Sequence, residues 1–224
     1  MSARLQIGEG LPGPSVMKFT LTYDGELRSN GKPKKKWEMR QQISPQLQEL
    51  WRVDPVLNQV LRRRLIPRHG YMQIDTHHTL ESYLAPHTSG GTDNMDLCEP
   101  IGRGAWKFIP LIRNSLSLRG GLRVTFLRKE APGRVYQGGD MDNRLKTLFD
   151  ALSVPNLDQV VGEPASDPTV YCLFEDDSLI AGLSVETGRL LTRPDSSEHE
   201  VRLIIEVDVR VVQARVYNQL FLGD

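Results

Sequence analysis

The sequence predicts a mixed α/β fold of the α+β kind: one β-sheet flanked by helices. Three observations predict it. Val201, Leu203, Ile205, Val207, Val209 and Val211 alternate with Arg202, Ile204, Glu206, Asp208 and Arg210, mostly charged, the period of a half-buried strand. Leu145, Leu148, Phe149 and Leu152 recur at i, i+3, i+4 and i+7, the stripe of an amphipathic helix. Strand-like runs stand before, between and after two helical regions, the order expected of a mixed sheet.

In chain order, the first sixteen residues contain three glycines and two prolines and predict a loose leader, 1–16. Residues 17–224 then form one domain, and Met17 offers an alternative start. Phe19 and Leu21 alternate with Lys18, Thr20 and Thr22 in a short strand closed by the turn Tyr23-Asp24-Gly25. Arg28 to Lys36 reads as a basic loop, broken by Asn30-Gly31 and Pro33. Ser44-Pro45 then opens a helix, serine as cap and proline in the first turn, with Leu47, Leu50 and Trp51 inward. Asp54-Pro55 starts a second helix that ends at Arg62-Arg63-Arg64. The irregular stretch around 68–110 reads as an insertion. Leu122, Val124 and Phe126 mark a further strand, and a loop from Ala131 to Gly139 leads to a helix from about Asp142 to Leu152. Val170–Leu173 and Leu179–Val185 are two more strands around an acidic turn, and Thr187-Gly188 reads as a turn before the final strand.

Composition narrows the class. Charged residues make up 25% and hydrophobic ones 39%, enough for a core and too few charges for wholesale disorder. No apolar run reaches the roughly 18 residues of a membrane span, and no secretory signal is evident, so a soluble cytoplasmic protein is expected. Two cysteines, Cys98 and Cys172, are too few for a disulfide scaffold. His77, His78, His87 and Cys98 match no common zinc spacing, and a polar loop accounts for them. The formal charge is zero, yet from Arg28 to Arg68 eleven basic residues face only Glu38, Glu49 and Asp54. Such asymmetry suits a protein that holds a polyanion with one region and a metal with another.

The acids that could hold metal fall in two places. Asp140 and Asp142 stand at a helix start, where the positive end of the helix favours carboxylates, and Lys146 follows Asp142 by one turn. Glu175-Asp176-Asp177 lies some thirty residues on, between two apolar strands. Carboxylates at element ends can share a magnesium ion, which keeps waters and needs only one or two such groups. Such an ion activates water and neutralises a scissile phosphate. The plainer reading makes the first aspartates helix caps and Lys146 an ion-pair partner of Asp142 or Asp150.

Asp140-x-Asp142-Asn143-x-x-Lys146, then Asp150-Ala151-Leu152 on the same helix, then Asp176-Asp177, resembles the RusA family of Holliday-junction resolvases. The likeness covers about forty residues closely. It implies a magnesium-dependent endonuclease, with manganese as a substitute and no organic cofactor, that acts as a homodimer on branched DNA. Paired nicks on a symmetric junction suit a two-fold dimer. It implies Asp140, Asp142 and Asp177 as metal-binding catalytic acids and Lys146 as the catalytic lysine. The family uses its basic N-terminal region on DNA, which points to Lys32, Lys34, Lys35, Lys36 and Arg40; Lys34-Lys35-Lys36-Trp37 also joins charge to an aromatic, as a strand-gripping segment would. Asp150 is expected to cap or pair, and Asn143 to brace the loop. The chain is nearly twice the length of a small RusA-type resolvase, so the leader and insertion lie outside the resemblance. The alternative is a RusA-like DNA- or partner-binding module of a phage or mobile element without nuclease activity.

Overall fold

The computed structural model describes residues 3–7, 12–29, 31–62, 65–67, 94–129, 140–164, 166–191, 197 and 199–222. Its elements run β1 (Ala3–Ile7), β2 (Ser15–Glu26), α1 (Pro33–Val53), α2 (Pro55–Arg62), β3 (Leu65–Pro67), β4 (Asn94–Asp96), β5 (Ile101–Arg103), β6 (Trp106–Ile112), β7 (Leu118–Arg128), α3 (Asp140–Leu152), β8 (Thr169–Phe174), β9 (Ile180–Arg189) and β10 (Glu200–Val211). Short 3-10 turns cover Leu157–Gln159, Asp177–Leu179 and Val216–Phe221. The fold is α+β, as the sequence predicts.

The main sheet has the order β1-β9-β7-β10-β2. Its centre is β7, parallel to β9 and antiparallel to β10. A parallel pair needs a long crossover, and the crossover from β7 to β9 carries α3 and β8. A smaller sheet, β5-β6-β8, pairs β6 with β8 in parallel. The alternation read in the last strand is what buries Val201, Leu203, Ile205, Val207, Val209 and Val211 in one core. The stripe on α3 buries Leu145, Leu148 and Leu152 in the same core, with Phe149 packed at its margin.

Several local readings give way to tertiary partners. The predicted leader 1–16 supplies β1, which pairs with residues 183–187 of β9, and the first two residues of β2. Its partner is too distant in sequence for any local window to register. Pro33 and Ser44-Pro45 do not break the chain: Pro33 begins one 21-residue helix and Pro45 sits inside it. A mid-helix proline forfeits one hydrogen bond. Burial of Met39, Ile43, Leu47 and Trp51 along the same face offsets that loss. Ser44 is no cap; its Oγ accepts the Tyr171 N–H at 2.9 Å. Asp54 behaves as expected: its N–H closes α1 on Leu50 O, and its Oδ1 accepts the Leu57 N–H that opens α2. The later part of the expected insertion is framework, since Trp106–Ile112 pairs with β8. Residues 68–93, with His77, His78 and His87, lie outside the described residues, as does the loop 131–139. Thr187 and Gly188 make no turn; they lie within β9, paired with Phe126 and Leu127. Cys98 is a buried core thiol. No helix among the described residues is long and apolar enough to cross a membrane.

One glycine position is fixed by packing. A Cβ on Gly120 would lie 2.5 Å from the Phe174 ring and 2.8 Å from Ile112 Cδ1. The β7–β9 register shifts at this point, between Gly120 and Gly121. Gly120→Ala should therefore overpack the core and lose about 1–3 kcal/mol of stability in urea denaturation.

Candidate functional site

α3 descends the sheet from one end to the other. Near its start, buried Arg144 donates from Nη1 to Leu27 O at 2.8 Å. Leu27 follows β2 directly, at the sheet end where Glu26 meets Glu200 and Val201 meets Arg128. At its finish, Ser153 bridges Phe174, and the Val154 N–H donates to Phe174 O at 3.0 Å. Phe174 packs on Gly120, at the opposite sheet end, where Gly120 meets Ile180 and Leu118 meets Val211.

One face of α3 is fastened to the segment 27–40. Thr147 Oγ1 accepts the Gly31 N–H at 3.1 Å and donates to Asn143 O at 3.0 Å. Asp150 pairs with Lys36 at 2.6 Å, the two side chains 21% and 14% exposed. Arg40 donates from Nη2 to Asp150 O at 2.6 Å and Ser153 O at 3.1 Å. These carbonyls belong to the last turn of α3 and the residue after it, where the helix has no internal donors and favours a cation. Arg40 also lies 5.7 Å over the Trp37 ring and beside Cys172, whose thiol burial pushes up to about 12. Cys172 is thus a neutral core thiol at physiological pH.

This geometry corrects part of the expected DNA surface. Arg40 is 1% exposed and Trp37 is buried against Trp106 and Phe108, so neither faces a ligand. Lys36 is taken by Asp150, and Lys35 by Glu38 and Glu26. The local run suggested a basic loop, but it winds into α1, which turns every third or fourth residue inward. Lys32 and Lys34 remain exposed, and neither side chain has a partner among the described residues. Arg62 is exposed as well, whereas Arg63 and Arg64 lie outside the described residues.

The acids divide by role. Asp142 and Lys146 are exposed on α3, one turn apart, with Asp150 a further turn along. They form no ion pair with one another, and Asp150 is already held by Lys36. Asp140 opens the helix, and its side chain lies outside the described residues. In the acidic turn, Glu175 Oε2 accepts the Asn114 N–H at 2.9 Å. Asp176 Oδ1 accepts the Ser178 N–H at 2.9 Å and caps the 3-10 turn. Asp177 alone of the three is exposed with no side-chain partner among the described residues.

The hydrogen bond from Ser178 holds the Asp176 carboxyl below its ordinary pKa. A lowered folded-state value means the stabilisation is present above the unfolded carboxylate range and lost as pH falls through the lowered value. Asp176 should therefore titrate at lower pH than an unrestrained aspartate when followed by carboxyl carbon NMR. Equal titration would contradict the cap.

The two acidic groups stand at different ends of α3. Asp142 is at the start of α3, while Asp177 follows Phe174 by three residues at its far end. Along the helix axis Asp142 stands about 16 Å from Ser153, the residue that bridges Phe174, at 1.5 Å per residue. Among the described residues, no group of three or more His, Cys, Asp or Glu side chains could hold a metal ion. Of the expected cluster, the Asp140 side chain lies outside the described residues, while Asp142 and Asp177 lie towards opposite ends of α3, which crosses over between the parallel strands β7 and β9.

The sequence reading missed the Arg144, Thr147 and Asp150 face. Its spacing of i, i+3 and i+6 was available as a signal. Comparison with family models, curated proteins and solved structures finds no match to this chain.

Proposed function

We propose that the chain is a magnesium-dependent endonuclease of the RusA type, acting as a homodimer on Holliday junctions or similar branched DNA. One observation carries this reading. In a motif where Asp150, Asp176 and Glu175 all have structural partners, Asp142, Lys146 and Asp177 are the members left exposed and without side-chain partners among the described residues. Fold maintenance does not account for those three. Lys32 and Lys34, exposed and without side-chain partners among the described residues, follow Gly31, which is bonded to Thr147 midway along α3, and offer cations for phosphate.

The reading has Asp140 and Asp142 of one copy joined by Asp177 of a second, so that dimerisation completes the site. The test is a labelled four-way junction incubated with the full chain, first with magnesium and then with excess chelator. Metal-dependent nicking is the expected result; an inert protein that still shifts the junction on a gel would sink the nuclease reading.

The second reading, a DNA- or partner-binding module without cleavage, is favoured by the absence, among the described residues, of any group of three or more His, Cys, Asp or Glu side chains that could hold a metal ion. It predicts that gel-shift result, with binding insensitive to chelator.

A further inference from the structure

β2 is an edge strand of the main sheet, with β10 on one side. On the other side its backbone is partly occupied by a side chain from α1. The Thr22 N–H donates to Gln46 Oε1 at 2.9 Å, and Gln46 Nε2 donates back to Thr22 O at 2.8 Å. Nε2 also reaches Gln42 O at 3.0 Å, which fixes the carboxamide on the helix. The amide thus presents a donor and an acceptor to Thr22 as a residue of a neighbouring strand would.

Peptide groups alternate sides along an antiparallel strand. Those of Thr22 point away from β10, so those of Lys18, Thr20 and Asp24, in the same phase of an unshifted register, point outward too. Among the described residues, no backbone hydrogen bond reaches these three from the outer side. All four side chains are exposed, and Asp24 also accepts from Arg202 Nε of β10 at 2.5 Å, which leaves its second carboxylate oxygen for Lys18 of another copy. An antiparallel copy of β2 centred on Leu21 would set Lys18 opposite Asp24 and Thr20 opposite Thr22, twice over. Opposite-charge and Thr–Thr pairs both favour cross-strand association.

We propose that the outer edge of β2 is a self-complementary pairing surface for a second copy of this chain, and that Gln46 is the latch that keeps it shut. Pairing requires the carboxamide to leave Thr22, since both bind the same N–H and C=O. Open edges invite uncontrolled sheet extension, and a latch of this kind suppresses it. This inference is independent of the nuclease reading and concerns a different contact from the one that would bring Asp177 to Asp142.

The test compares the full wild-type chain with Gln46→Leu by sedimentation equilibrium over a concentration series, and by hydrogen exchange at the Thr22 amide. At low concentration the Thr22 amide of the variant should exchange faster than in the wild type. As concentration rises, its weight-average mass should move above the wild-type value at each point, towards twice it. Adding Lys18→Asp, which sets like charges opposite Asp24, should return the mass to the wild-type curve. Thr20→Pro should do the same, because it removes an outward donor and leaves the β10 ladder intact. A Gln46→Leu mass curve that coincides with wild type overturns the proposal. So does association that neither second substitution reduces. Should Gln46→Leu fail to fold, Gln46→Glu decides: it keeps the acceptor for Thr22 N–H and loses the donor, so its mass curve should lie above wild type.

Discussion

Asp142→Asn is expected to remove magnesium-dependent junction cleavage while leaving junction binding in place. The substitution keeps the shape of the side chain and the helix start, and it deletes one negative charge from an exposed position that holds no fold contact among the described residues. Loss of groups that merely orient a metal ligand already costs about 10–100-fold. Loss of a ligand itself should exceed about 100-fold, as read from initial nicking rates. Undiminished cleavage would remove Asp142 from the site. The same variant can report where Asp177 acts. Asp142→Asn and Asp177→Asn are each expected to be inactive as homodimers. In a mixed dimer with sites shared between copies, one site regains both native carboxylates and the other loses both. Mixing should then recover nicks without paired cuts. If each site belonged to a single chain, mixing would recover nothing.

The second large effect concerns stability. Arg40→Ala is expected to destabilise the fold by about 3–5 kcal/mol, since it strands two buried carbonyls and removes a fully packed side chain. In a chain of this size that corresponds to a melting temperature lower by roughly 10 °C. Arg40→Met keeps most of the volume and should lose less, with Asp150 O and Ser153 O still unpaired. Arg40→Met should also leave the salt dependence of DNA binding unchanged, because the guanidinium is buried. Lys34→Ala, in contrast, should reduce that dependence by about one unit. A fall in salt dependence for Arg40→Met would restore Arg40 to the DNA surface.

Arg40 also illustrates how far the candidate site was legible. In sequence it is one more cation in a basic stretch, next to Lys34-Lys35-Lys36. Its neighbours in space are the last turn of α3 and Cys172, more than a hundred residues away. Charge is read from a sequence directly, whereas the partner of a charge is not. Asp176 and Asp177 pose the same problem at closer range: two adjacent carboxylates of identical type, one capping a turn and one free, separated only by backbone geometry.

The sequence by itself determined the last strand, the helix that begins near Asp142 and the faces these two bury. The alternation in β10 and the stripe on α3 correspond to the observed core because periodicity fixes which side chains share a face. It also determined that an unusual set of acids and a lysine sits at element ends. Tertiary structure alone decided the rest. It recruited residues 3–7 as an edge strand, carried α1 through Pro45, and turned Arg40 inward. It also set Asp142 and Asp177 at opposite ends of α3. Each of these depends on which distant surface an element meets, and burial against that surface outweighs local preferences worth about 1 kcal/mol or less apart from proline.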